Sequence, residues 1–117
     1  MYFKQEFGKE GEDVAAQYLK EKGYKILDRN FACKRGEIDI VAFKDEKIIF
    51  VEIKSRTSTK YGLPSEAVTK EKIKHLLRTA ETYLIIKNLM DIDVRIDVIE
   101  VYKEKGIYQI NHLEQVI

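Results

Sequence analysis

Two β-like runs joined by a short charged turn fill residues 36–56, GEIDIVAFKDEKIIFVEIKSR. Residues 38–43 and 48–53 alternate apolar positions and are rich in β-branched side chains, so both are expected to be strands, with residues 44–47 turning between them. Asp39, Glu52 and Lys54 interrupt these runs at positions where a purely structural strand favours apolar or neutral residues. If the turn is centred on Asp45 and Glu46, paired residues have numbers adding to 91, and Asp39 then faces Glu52. Opposed residues on one face bring their Cβ atoms to roughly 4.5–5.5 Å. Glu52 and Lys54 share that face by the two-residue period, and Glu37 falls opposite Lys54.

Facing carboxylates repel, and a hard divalent cation such as Mg²⁺ or Mn²⁺ would relieve the repulsion. A neighbouring lysine could then orient a water or stabilise charge on a phosphate. The grouping depends on register, because a slip of one residue sends one strand's charges to the other face. Asp-Glu is not a favoured two-residue turn, so a longer loop or a bulge is the alternative.

A length of 117 residues points to one domain spanning residues 1–117, with a real core. No apolar run approaches the roughly 20 residues of a membrane span. The first residues, MYFKQEFGKEGED, lack the apolar centre of a secretory signal. Cys33 is the only cysteine, which excludes an intrachain disulfide and points to a cytoplasmic protein. Net charge is only +1, yet residues 54–78 carry +5 and residues 20–35 carry +4. Such local excess beside a carboxylate cluster would suit a phosphate backbone, and a solvated lysine-rich surface is the plainer reading.

The remaining chain supplies neighbours for the hairpin. A helix is expected over residues 9–22, with Glu12 in its first turns. Glu12 there either complements the helix dipole or leans toward the charged hairpin. Residues 24–31 form a first strand, making a three-stranded antiparallel meander. Residues 55–65 form a loop that puts Arg56, Lys60 and Tyr61 at the mouth of the site. A second helix begins at Ser65 or Thr69 and ends at Lys87, with Lys72 beside its apolar stripe. Strands follow over 93–102, with Arg95, Asp97 and Ile99 alternating against Val94, Ile96 and Val98, and over 107–110. His75 and His112 have no metal-ligand spacing and are expected to be surface or structural residues.

Asp39 followed by Glu52-Ile53-Lys54 resembles the signature of the PD-(D/E)xK nuclease superfamily. Gly8-x-x-Gly11-Glu12-x-x-Ala15, Gly23-Tyr24-x-Ile26-Leu27-x-Arg29-Asn30, Gly36 to Ala42, Phe50-Val51-Glu52-Ile53-Lys54-x-Arg56 and Arg95-x-Asp97-Val98 resemble the YraN-type family of small endonuclease-like proteins, which is similar to Holliday-junction resolvases. That resemblance implies an α/β fold with an αβββαβ restriction-endonuclease-like core, a mixed central sheet flanked by two helices and an extra C-terminal strand. It implies a Mg²⁺- or Mn²⁺-dependent endonuclease acting on DNA, branched DNA included, and a homodimeric state. Asp39, Glu52 and the main-chain carbonyl of Ile53 would hold the metal, Lys54 would be the catalytic lysine, and Glu12 an auxiliary acid. Arg35, Arg56, Lys60 and Lys72 would meet the nucleic acid. Ile73 departs from the family pattern, which has a glutamine after the helix-two lysine. A nucleic-acid-binding module without catalysis, and a protein-interaction domain with a plain salt-bridge network, are the alternatives.

Overall fold

The computed structural model describes residues 2–56 and 69–117, with side chains from Gly8 onward. Its elements are α1 (Tyr2–Glu21), β1 (Lys25–Cys33), β2 (Gly36–Lys44), β3 (Lys47–Arg56), α2 (Lys70–Ile86), β4 (Asp93–Glu104) and β5 (Ile107–Leu113). The strands form one sheet in the order β1-β2-β3-β4-β5. Among the described residues only β3 and β4 pair in parallel, and α2 lies in the crossover that parallel pairing requires. The expected αβββαβ core with an added C-terminal strand is therefore the architecture.

The β2–β3 turn has two residues after all. Asp45 and Glu46 both adopt left-handed backbone, at φ 51° and 61°. That pair of conformations makes the tight primed turn that matches strand twist, despite a Glu that enters it at some cost. Pairing runs from Lys44↔Lys47 to Ile40↔Val51, so the expected register holds over these pairs. The ladder then stops, and the expected Asp39–Glu52 pair is not part of it.

The sheet is covered on both faces. Ala15, Ala16 and Leu19 of α1 pack on Ile40, Ala42, Ile49, Val51, Ile99 and Val101. Two alanines on the buried stripe let this helix lie close. Leu76, Ala80 and Tyr83 of α2 pack on Ile38, Val41, Ile48, Phe50 and Ile96 from the other side. Full burial of a side chain such as Phe50 contributes about 1.5–3 kcal/mol. Tyr83 stacks edge-on against Phe31 and Phe50, with centroids at 5.0 and 5.6 Å, and its hydroxyl donates to Asp28 Oδ2 at 2.6 Å. Thr69 caps α2 by accepting from the Lys72 N–H at 3.2 Å, which fixes that helix's start at the second of the two expected places. Ser65 lies outside the described residues.

Two expectations are corrected. Residues 96–102 of β4 are all buried, so its faces do not divide into an apolar and a charged side. β4 lies inside the sheet between β3 and β5, with both faces covered. Further, α1 begins at Tyr2, which puts Glu12 well inside it and removes any role at the helix N-terminus.

Each helix is seated at a glycine. A Cβ on Gly11 would collide with the Ser55 hydroxyl and lie 3.2 Å from Ser55 Cβ, so α1 reaches β3 only through a bare backbone. Gly36 has φ 146°, and a Cβ there would stand 3.0 Å from Thr79 Oγ1 of α2. No helix among the described residues is long and apolar enough to cross a membrane.

Candidate active site

The regular pleat of β1 and β2 fails at facing positions. Arg29 pairs with Ile40 and Phe31 with Ile38, so Asn30 stands opposite Asp39, and that pair is missing from the ladder. Asn30 is left-handed, at φ 56°, a conformation Asn adopts more readily than most residues. Ile38 and Val41, three residues apart, pack in the same cluster under α2, where a regular strand would send them to opposite faces. On β1, Arg29 reaches Glu12 of α1 while Phe31 packs under α2, where a regular strand would keep them together. Both strands thus change face at Asn30 and Asp39.

This break explains the lost Asp39–Glu52 pair. Instead of lying beside Glu52 in a ladder, the Asp39 side chain accepts the Ile53 N–H through Oδ2 at 2.8 Å. A carboxylate of β2 takes the place of a main-chain partner for β3. Burial pushes the Asp39 carboxyl up to about 6. The Ile53 N–H opposes that rise, and the charges of Glu52, Glu12 and Glu37 add to it. Asp39 therefore feels the other three carboxylates even though β2 and β3 no longer pair there.

Two lysines balance them. Lys54 Nζ lies 3.5 Å from Glu52 Oε1, both side chains being about a fifth exposed. Lys72 of α2 is held below the usual lysine value by the close approach of the Lys54 amine and by partial desolvation, with the Lys54 charge adding to both. Glu37, Glu52, Lys72 and His75 line a cleft of about 130 Å³ between the hairpin and α2, floored by Gly36, Leu76 and Thr79. Asp39, Glu52, Lys54 and Lys72 are thus brought to one place.

Glu12 sits behind them. Its Oε1 accepts from Arg29 Nε and from Asn30 Nδ2, both at 3.0 Å, while Arg29 also donates to Asp13 Oδ1 at 2.6 Å. Glu12 is close enough to raise Asp39, yet its carboxylate is engaged in holding the bent residue Asn30 against α1. Among the described residues no group of three or more His, Cys, Asp or Glu side chains is arranged to hold a metal ion. Asp39 and Glu52 supply two carboxylates, and the third donor implied by the resemblance, the Ile53 carbonyl, is main chain.

The expected nucleic-acid contacts separate. Arg35 lines a groove of about 490 Å³ with Lys34, His75 and Arg78. His75 belongs to both cleft and groove, which gives this unpatterned histidine a place no spacing rule could have found. Arg56 turns toward β4, with Nε 3.5 Å from Oε2 of the buried Glu100. That Nε is itself buried, without a hydrogen-bond partner among the described residues. Lys60 lies outside the described residues, as does Tyr61.

Two buried acids on β4 were not legible as such. Asp97 accepts from Arg95 Nε at 2.9 Å and from the Gln115 N–H at 3.0 Å, with His112 Nε2 2.7 Å away. Arg95 and Asp97, two apart in a strand, share a face, and that spacing was the available signal. Glu100 accepts from Asn111 Nδ2 at 3.0 Å across the β4–β5 pair. No local pattern marks it.

A match to the Uncharacterised protein family UPF0102 spans residues 11–101. A UPF0102 protein of Caldanaerobacter subterraneus subsp. tengcongensis is 45% identical over 113 residues, covering 94% of this chain and 93% of its own length. One from Syntrophomonas wolfei is 47% identical over 108 residues, covering 92% and 94%. One from Clostridium perfringens is 46% identical over 106 residues, covering 89% and 87%. Among solved structures, the Pyrococcus furiosus SfsA determined in complex with Ca²⁺ aligns with a TM-score of 0.44 and 18% identity, over 95% of this chain and 63% of that one. The matched span takes in Glu12, Asp39, Glu52, Lys54 and Lys72, and with relatives this similar over nearly their whole length, the chain belongs to the UPF0102, or YraN-type, family.

Proposed function

We propose that this protein is a divalent-metal-dependent nuclease that hydrolyses phosphodiester bonds in DNA, branched DNA among its substrates. The observation that carries this reading is Asp39: a half-buried carboxylate at a break in two strands, raised to about 6, with Glu52, Lys54 and Lys72 gathered around it. A purely structural acid is normally neutralised by its partners, whereas this one sits among further carboxylates.

The donor set fits Mg²⁺ or Mn²⁺, which take hard oxygens and keep several waters, so that Asp39, Glu52 and the Ile53 carbonyl leave coordination positions open. Bound there, the ion would lower the pKa of a water and offset phosphate charge. The Ile53 N–H fixes the Asp39 carboxylate through Oδ2 and leaves Oδ1 for a ligand. Lys54 acts as a positive charge beside Glu52, orienting the attacking water and stabilising the phosphorane-like charge. Lys72 approaches from α2, where its lowered proton affinity suits release of a proton to the departing oxygen.

Incubation of branched, duplex and single-stranded DNA with Mg²⁺ or Mn²⁺ tests this. Asp39→Ala and Glu52→Ala are each expected to reduce cleavage by roughly a hundredfold or more. Cleavage that survives both substitutions would sink the assignment. A second reading, a nucleic-acid-binding module without hydrolysis, is favoured by one observation: among the described residues no three His, Cys, Asp or Glu side chains are grouped to hold a metal ion. It predicts salt-sensitive DNA binding that persists in Asp39→Ala, with no metal-dependent turnover in the wild type.

A further inference from the structure

We infer that the groove between the β1–β2 turn and α2 is a phosphate-backbone subsite, holding a nucleic-acid strand two to three nucleotides from the acidic cleft. Its lining is Lys34 and Arg35 from the turn and His75 and Arg78 from the helix, with no carboxylate among them. Six other cations, Arg29, Lys54, Arg56, Lys87, Arg95 and Lys103, each lie within 4.0 Å of a carboxylate. Among the described residues, Lys34, Arg35 and Arg78 have no such partner, and all three are exposed. Like charges held around one concavity are an unfavourable arrangement until an anion enters it.

The direction follows from the helix. Lys72, His75 and Arg78 recur every three residues and so form one row along α2. Lys72 and His75 line the acidic cleft, and His75 and Arg78 line the groove, so the two spaces join at His75. Six residues of helix rise about 9 Å. One strand of nucleic acid advances about 3.4 Å per nucleotide, which places Arg78 two to three nucleotides along from a phosphate at Lys72. Contacts of this kind fix position without reading sequence. The inference deepens the nuclease reading and rests on it for the place of the reacting phosphate, while the groove itself stands on its own charges.

The test is binding of the full chain to a fluorescent twelve-nucleotide strand and to its duplex, in EDTA, across 50–200 mM salt. The double substitution Lys34→Ala with Arg78→Ala is expected to flatten the log–log salt slope by about 1.4 for the single strand or about 1.8 for the duplex, one phosphate contact per cation. Affinity at low salt should fall roughly tenfold, equally for unrelated sequences. Lys47→Ala, at an exposed cation where β3 begins, should leave slope and affinity unchanged. An unchanged slope in the double variant, or no binding by the wild type, overturns the inference. The nuclease reading fails separately. Groove-dependent binding without Mg²⁺- or Mn²⁺-dependent cleavage sinks that reading and leaves the subsite standing, while cleavage with an unaltered slope does the reverse.

Discussion

At the scale of single residues, Asp39 carries a conflict between stability and charge. Its folded-state value of about 6 lies above the ordinary 3.8, so the folded protein prefers this carboxyl protonated. A raised acid contributes stability that is fully present below the unfolded value and is lost as pH climbs through the folded one. Ionising Asp39 should therefore cost on the order of 2 kcal/mol between pH 4 and pH 7. Asp39→Asn keeps a carbonyl for the Ile53 N–H and removes the charge. Urea unfolding should show it more stable than the wild type by that amount at pH 8 and equal to it near pH 4. Equal stability at both pH values would show that the carboxylate is better solvated than its burial implies. The identity of this residue was plain in the sequence, because an acid inside a β-branched run has few structural uses. Its conformation was not, since the change of face depends on the left-handed Asn30 of another strand.

At the scale of elements, the hairpin was legible down to its register from Ile40 to Lys44, because apolar alternation on both strands admits one pairing. Legibility ended where the pleat ended. The helices were visible from their apolar stripes, but not how closely they approach. Gly11 sets that approach for α1. Alanine in a helix is ordinarily better than glycine by about 1 kcal/mol, and overpacking costs about 1–3 kcal/mol. The Ser55 hydroxyl can swing aside, but its Cβ at 3.2 Å cannot, so the steric effect wins. Thermal unfolding of Gly11→Ala should show a net loss of about 1 kcal/mol. In a Ser55→Gly background the same change should become neutral or stabilising, and a loss that persists there would mean α1 is held off by something else.

At the scale of the molecule, the sheet's far side is tied shut by charge. Burial alone would raise the Asp97 carboxyl, but hydrogen bonds from His112, Arg95 and the Gln115 N–H outweigh it and hold it below its ordinary value. These bonds join α1 through Tyr18, whose hydroxyl lies 2.9 Å from His112 Nδ1, to β4, β5 and the C-terminal residues. Val116 adds a main-chain bond to Ile96 at 2.9 Å. A depressed acid stabilises above its unfolded value and loses that contribution as pH falls through the folded one. Asp97→Ala should destabilise by about 3 kcal/mol at pH 7, because it removes the buried acceptor of Arg95 and His112 and leaves the mostly buried Arg95 only the exposed Glu114 and the Tyr24 hydroxyl. The difference from the wild type should shrink below pH 4, and acid titration followed by circular dichroism would show it. A pH-independent difference would point to lost packing instead. Only the Arg95–Asp97 spacing in this network was legible from local pattern, because the rest draws on three distant segments and the sequence offers no rule for which acid ends inside.

The two-residue turn at Asp45-Glu46 also has a meaning in time. Asp39 and Glu52 lie on strands that pair through the shortest of connections, while β3 meets β4 only through partners such as Lys47 and Asp93, 46 residues apart. A ribosome adding about 5–20 residues per second delivers the whole hairpin seconds before it delivers the crossover helix and the next strand. Local pairings also close faster than distant ones. The acidic half of the site is thus available while still bathed in water, and the lysine of α2 joins a charged hairpin that is already there.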